Sequence, residues 1–150
     1  MINDIQILPL RQISDNRGKV MHMLRRDAKW FEDFGEIYFS TVEAGAVKAW
    51  HIHKEMVLNY AVPIGNIKLV LFDNRENSRT RGEIQEIYLG PQDYNLVIIP
   101  PLVWSGFKGL GNMTSLVANC ASTPHDPDEI ERLPPDNTTI PYNWKVDHKQ

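Results

Sequence analysis

The chain has little cysteine: Cys120 stands alone. An intramolecular disulfide is excluded, and the usage fits a reducing compartment. It also lacks charge of one sign. Sixteen Lys and Arg face 19 Asp and Glu, for a formal net charge of −3, and no block of like charges occurs. A nucleic-acid partner held by bulk electrostatics is therefore not expected. No apolar run approaches the length of a membrane span, and "MINDIQILPLRQ" at the N-terminus has no signal-peptide character. Internal repeats and low-complexity segments are missing too. These absences point to a cytoplasmic protein with no membrane contact. What is present is enough for a core: 150 residues with 42% apolar content predict one domain over 1–150.

Short apolar or alternating runs dominate. "KVMHML" (19–24), "EIYFSTV" (36–42), "AVKAWHI" (46–52), "VLNYAV" (57–62), "IKLVLFD" (67–73), "IQEIYL" (84–89), "NLVIIP" (95–100) and "SLVANCA" (115–121) are each of strand length and rich in Val, Ile, Tyr or Phe. Turn signals such as "DNRG", "PIGN" and "KGLGN" separate them. The pattern predicts an all-β sandwich or barrel. "DAKWFEDFG" (27–35) allows one helical turn, and "DPDEIER" (126–132) a short helix capped by Asp126. The acidic character of "DPDEIER" otherwise reads as a solvated surface turn. The proline-rich segment beyond Cys120 predicts an extended tail over the barrel.

"KAWHIHK" holds the candidate chemistry. Residues two apart on a strand share a face, so His51 and His53 can point together into a barrel mouth. Such a pair can begin a metal site, yet a stable one needs three or four ligands. Around the pair, Gly45, His51, His53 and Gly65 resemble the first metal-binding motif of the cupins. Leu58 stands at that motif's glutamate, and Ser105 at the histidine of the second motif. No bound metal is expected.

Further pieces resemble one cupin branch, the dTDP-4-dehydrorhamnose 3,5-epimerases. They are "SDNRGKV", "AVKAWHIHK", "LVLFDNRENSRTRG", "VIIPPLVWSGF" and "PPDNTTIPYNW", in order from about residue 5 to 144. The resemblance implies a cupin jelly roll (a double-stranded β-helix) with short helical turns and an extended C-terminal tail. It places His51 on the catalytic histidine and Asp136 on the aspartate that orients it. Lys48 falls on a phosphate-binding arginine, His53 on a glutamine and Ser105 on a phosphate-binding histidine. Epimerisation beside a ketone needs a base near pH 7, and neutral histidine with a carboxylate partner suits it. The implied substrate is a nucleotide-linked 4-keto-6-deoxy sugar, most simply a dTDP-sugar, with no cofactor. Arg17 and Lys48 are candidates for its diphosphate. Asn59 and Asn119 are candidates for polar contact with the substrate, and Trp104 for stacking. The "DxR" at Asp73 and Arg75 reads as a pin for its turn.

The series departs from the family at Asn119, where the family carries an acidic tyrosine on the opposite face. One epimerisation rather than two is the expectation. Tyr60 reads as core, with a substitute acid as its alternative. "HIHK" also resembles the "H-A-H-K" of sugar-nucleotide 3,4-ketoisomerases, which leaves that activity open, as well as a non-catalytic sugar-nucleotide-binding cupin. Trp50 is expected to face away from the pocket, and Trp144 to anchor the tail. His22, His125 and His148 read as surface or structural. Relatives of these families imply a homodimer.

Overall fold

The computed structural model describes residues 1–146, so His148 lies outside the described residues. Twelve strands follow in order: β1 Gln6–Pro9, β2 Gln12–Asp15, β3 Gly18–Met21, β4 Glu36–Val42, β5 Val47–His53, β6 Leu58–Ile64, β7 Ile67–Asp73, β8 Ile84–Leu89, β9 Asn95–Ile99, β10 Val103–Gly109, β11 Ser115–Ala121 and β12 Ile130–Arg132. Two five-stranded sheets form the body, in the orders β1-β9-β6-β11-β4 and β12-β5-β10-β7-β8, and β2-β3 make a separate hairpin. All strand pairings are antiparallel. This is the cupin jelly roll. Four of the runs singled out in the sequence coincide with strands end to end: β4, β7, β8 and β11. "DAKWFEDFG" forms turns only, and "DPDEIER" holds a single 3-10 turn, Pro127–Glu129, with the Asp126 carboxylate accepting from the Asp128 amide.

Alternation along the strands decides what lies between the sheets. Leu69 and Leu71 of β7, Leu58 and Val62 of β6, Val97 and Ile99 of β9 and Phe107 of β10 join one interior cluster. The opposite face of the β5-β10-β7 sheet carries a second cluster: Trp50, Val70, Phe72 and Trp104 under Ile140 and Trp144 of the tail. Trp50 packs against Trp144 at 5.1 Å between ring centroids. Gly106 leaves room for this, because a Cβ there would sit 2.5 Å from Ala49 and 3.1 Å from the Trp144 ring. The tail therefore closes the outer side of β5, while His51 and His53 face the other way.

The turn after β7 is pinned as its sequence suggests. Arg75 Nε donates to Asp73 Oδ1 at 2.9 Å, and the Ser78 and Thr80 hydroxyls each donate to Asp73 Oδ2 at 2.6 Å. Burial alone would raise the Asp73 carboxyl, but these donors hold it well below the usual carboxylate range. Arg75 also reaches Asp4 and the Asn3 carbonyl, which ties the N-terminal segment to this turn.

Candidate active site

The open end of the sandwich holds a cleft of about 900 Å³. That volume is in the range that encloses small-molecule ligands. One wall is β5, with His51 and His53; the facing wall is β4 and β11, with Tyr38, Ser40 and Asn119. Lys48, His125 and Arg132 also line it.

The two histidines lie edge to face, 5.4 Å apart, but their surroundings differ. His51 Nε2 is bracketed by the Ser105 hydroxyl at 3.2 Å and the Tyr60 hydroxyl at 3.3 Å. Among the described residues no carboxylate touches it. Burial, and then the neighbouring His53 and Arg132, lower its pKa from 6.5 to about 4, so the ring is neutral at physiological pH. His53 is buried and its Nδ1 makes a short hydrogen bond with Glu129 Oε1. Glu129 is itself buried, and its Oε2 accepts from the backbone amides of Glu55 and Met56 at 3.1 and 3.2 Å. Burial pushes the Glu129 carboxyl up, but the His53 and amide hydrogen bonds outweigh it and leave the pKa lowered. A carboxylate fixed in this way accepts from His53 Nδ1–H and sets the orientation of the ring beside the cleft.

Local sequence explains how Glu129 arrives there. Asp126 and Pro127 start the 3-10 turn, and β12 then pairs with β5 in the register Ile130↔His53. The Lys54 amide donates to the Glu129 carbonyl at 2.8 Å, which locks the turn beside His53. Reading "DPDEIER" as a solvated turn missed this. The available signal was an acid just before Ile130, where a strand could start.

The expected pairing of His51 with Asp136 does not occur. Pro134 and Asn137 close a turn, with the Asn137 amide donating to the Pro134 carbonyl at 3.2 Å, and Asp136 is exposed on it. The tail beyond is drawn to the Trp50 face of β5, away from the histidines. Trp104 belongs to that same outer cluster rather than to the cleft, because it alternates with Ser105 on β10. Ser105 is fully buried behind His51 and is not at the rim. Asn59 also lies behind the wall: its Nδ2 donates to the Cys120 carbonyl at 2.9 Å, and its amide donates to Asn119 Oδ1 at 3.0 Å. Arg17 sits exposed on the β2–β3 turn, paired with Asp15 at 2.8 Å and away from the cleft lining. Lys48, His51, His53 and Asn119 do meet at the cleft. Lys48 Nζ donates to Ser40 Oγ at 2.6 Å and to the Thr41 carbonyl at 3.0 Å, bridging the two walls. His125, expected to be surface or structural, stands at the rim of the cleft. Cys120 is buried and its thiol is raised by that burial. Among the described residues no group of three His, Cys, Asp or Glu side chains is placed to hold a metal ion, and no helix is long and apolar enough to cross a membrane.

The jelly roll and the cleft at its open end are those of a cupin. The family model for dTDP-4-dehydrorhamnose 3,5-epimerase matches residues 1–150, and the chain belongs to that family of isomerases. It is similar to a dTDP sugar isomerase from Desulfovibrio desulfuricans G20, with 46% identity, a TM-score of 0.95, and coverage of 97% of this chain and 94% of the other. It is 35% identical to the probable low-salt glycan biosynthesis epimerase Agl13 of Haloferax volcanii, over 97% of this chain and 96% of that one. It is 31% identical to the spore coat polysaccharide biosynthesis protein SpsL of Bacillus subtilis strain 168, over 99% of this chain and 100% of that one.

Proposed function

We propose that the protein epimerises a nucleotide-linked 4-keto-6-deoxy sugar, with dTDP as the nucleotide, at one carbon beside the ketone, in the assembly of a surface polysaccharide or glycan. The observation that carries the reading is the Glu129–His53 pair at the cleft. A ketone acidifies the hydrogens on its neighbouring carbons. His53 Nε2 takes one of them, and Glu129 stabilises the imidazolium that forms. His51, neutral and with no carboxylate of the described residues against it, stands beside this base. Lys48 and Arg132 supply positive charge at the rim for the diphosphate. Asn119 lies in the opposite wall. The relatives named above, acting in glycan and spore-coat polysaccharide biosynthesis, support the pathway class. The reading keeps a cytoplasmic homodimer, supported by the single cysteine and by exposed Ile37 and Phe39 on edge strand β4.

Incubation with dTDP-4-keto-6-deoxyglucose in D2O, followed by NMR, tests it. Deuterium enters at C3 or C5 with inverted configuration, and His53→Asn abolishes the exchange. Wild-type protein that binds the substrate without exchange would make it a binding module and sink the reading. A second reading, 3,4-ketoisomerisation, draws on the edge-to-face contact of His51 and His53 on one wall, a geometry suited to relaying a proton along one sugar face. It is distinguished by a carbonyl carbon that moves from C4 to C3.

A further inference from the structure

A single base cannot invert a carbon. It takes the proton from one face, and a second group must return one to the other. Asn119 stands where the resemblance to the family expects a tyrosine, and an amide has no proton of useful acidity. The neighbouring strand holds the missing hydroxyl.

In the antiparallel pairing of β11 with β4, Asn119 lies directly opposite Tyr38, and in the pairing of β11 with β6 it lies opposite Tyr60. Directly opposed residues share a face, so Tyr38, Asn119 and Tyr60 form one row pointing inward from the wall that faces the histidines. Tyr60 is committed elsewhere: it is buried in the core cluster and its hydroxyl lies at His51 Nε2. Tyr38 is half-buried and lines the cleft. The wall of His51 and His53 lines the same cleft across from it.

We infer that Tyr38, supplied by β4, is the catalytic acid of this chain, replacing the tyrosine that β11 lacks at Asn119. The inference rests on the epimerase reading and assigns the second half of its proton transfer. His53 Nε2 accepts the proton from the carbon beside the ketone, and the C–H electron pair becomes the C=C of an enolate with charge on oxygen. The Tyr38 O–H then gives its proton to that carbon's opposite face. The C=C pair forms the new C–H bond, the ketone is restored, and the phenolate is left. Proton exchange with water returns the imidazolium and phenolate to their starting states. Asn119 is the positioning residue. Its Oδ1 accepts from the Asn59 amide, which leaves its buried Nδ2 as the donor beside Tyr38. Burial raises the Tyr38 hydroxyl, and the Asn119 amide beside it opposes that shift, as a donor to the phenolate must.

Tyr38→Phe separates the steps, with dTDP-4-keto-6-deoxyglucose in D2O as substrate. The wild-type protein is run beside it, and thermal melting confirms the fold. The inference expects wild type to exchange and invert, and Tyr38→Phe to keep exchange within about threefold while inversion falls at least 100-fold, returning deuterated substrate of unchanged configuration. Tyr38→Phe that inverts at the wild-type rate overturns the inference, as does loss of exchange and inversion together in folded protein. A wild type that never exchanges fails the epimerase reading itself, a result distinct from either. Asn119→Leu gives a second readout: the pH at which inversion falls off rises while exchange holds, and an unmoved profile removes Asn119 from the role.

Discussion

Glu129→Gln tests the base pair with little change in shape. Glu129 Oε2 accepts two backbone amides, and Oε1 meets one ring nitrogen. A glutamine has only one oxygen to place. Turned toward the amides of Glu55 and Met56, that oxygen keeps two hydrogen bonds; turned toward His53 it keeps one and sets its NH2 against two N–H donors. The first orientation wins, and the side-chain NH2 then donates to His53 Nδ1. That selects the tautomer with hydrogen on Nε2, so the lone pair leaves the cleft. The imidazolium also loses its counter-charge. Loss of a base with its orienter is worth about 10³- to 10⁴-fold, or roughly 4 to 5.5 kcal/mol of barrier. The fold loses only about 1 kcal/mol, because the amide contacts survive. The assay is the rate of hydrogen exchange beside the ketone in D2O, beside thermal melting and ¹⁵N NMR of the histidines. Exchange within about threefold of wild type in folded Glu129→Gln, or a His53 that keeps its proton on Nδ1, would mean that Glu129 does not orient His53.

Three further outcomes follow from the same geometry. Asp136→Asn, exposed on its turn, changes exchange by less than about twofold, whereas a large loss would restore it as a partner of the histidines. His51 has its folded pKa depressed from 6.5 to about 4, so the unfolded chain binds a proton first as pH falls. Stability therefore drops by about 2 to 3 kcal/mol between pH 6.5 and 4, and His51→Asn flattens the upper part of that slope, where carboxylates do not yet titrate, in urea melts. Asp73→Asn leaves Arg75 short of its partner in a buried cluster and costs about 3 kcal/mol in melting, with exchange by the folded protein unchanged.

The strand runs were legible because alternation and β-branched residues mark them. The short strands were not: β12 has three residues, and its place beside β5 is a long-range pairing with no local signature. The same applies within the site. Period two put His51 and His53 on one face. Their partner did not follow, because the tail had two faces of β5 to choose between, and the buried area under Trp50, Trp104 and Trp144 draws it to the outer one. Asp136 went with it, and Glu129 reached His53 by a 3-10 turn that local composition disguised as solvated. Tyr38 escaped notice for a related reason. Its neighbour Asn119 lies 81 positions along the chain, and only the register of β4 with β11 sets them side by side.

On the proposed function, this cleft removes the hydrogen beside a sugar ketone and returns one to the opposite face. The most direct measurement is the configuration of the carbon that acquires deuterium when the purified protein turns over dTDP-4-keto-6-deoxyglucose in D2O. Deuterium at one carbon, C3 or C5, with inverted configuration is the expected result. Deuterium with retained configuration, or a ketone moved to C3, would contradict it.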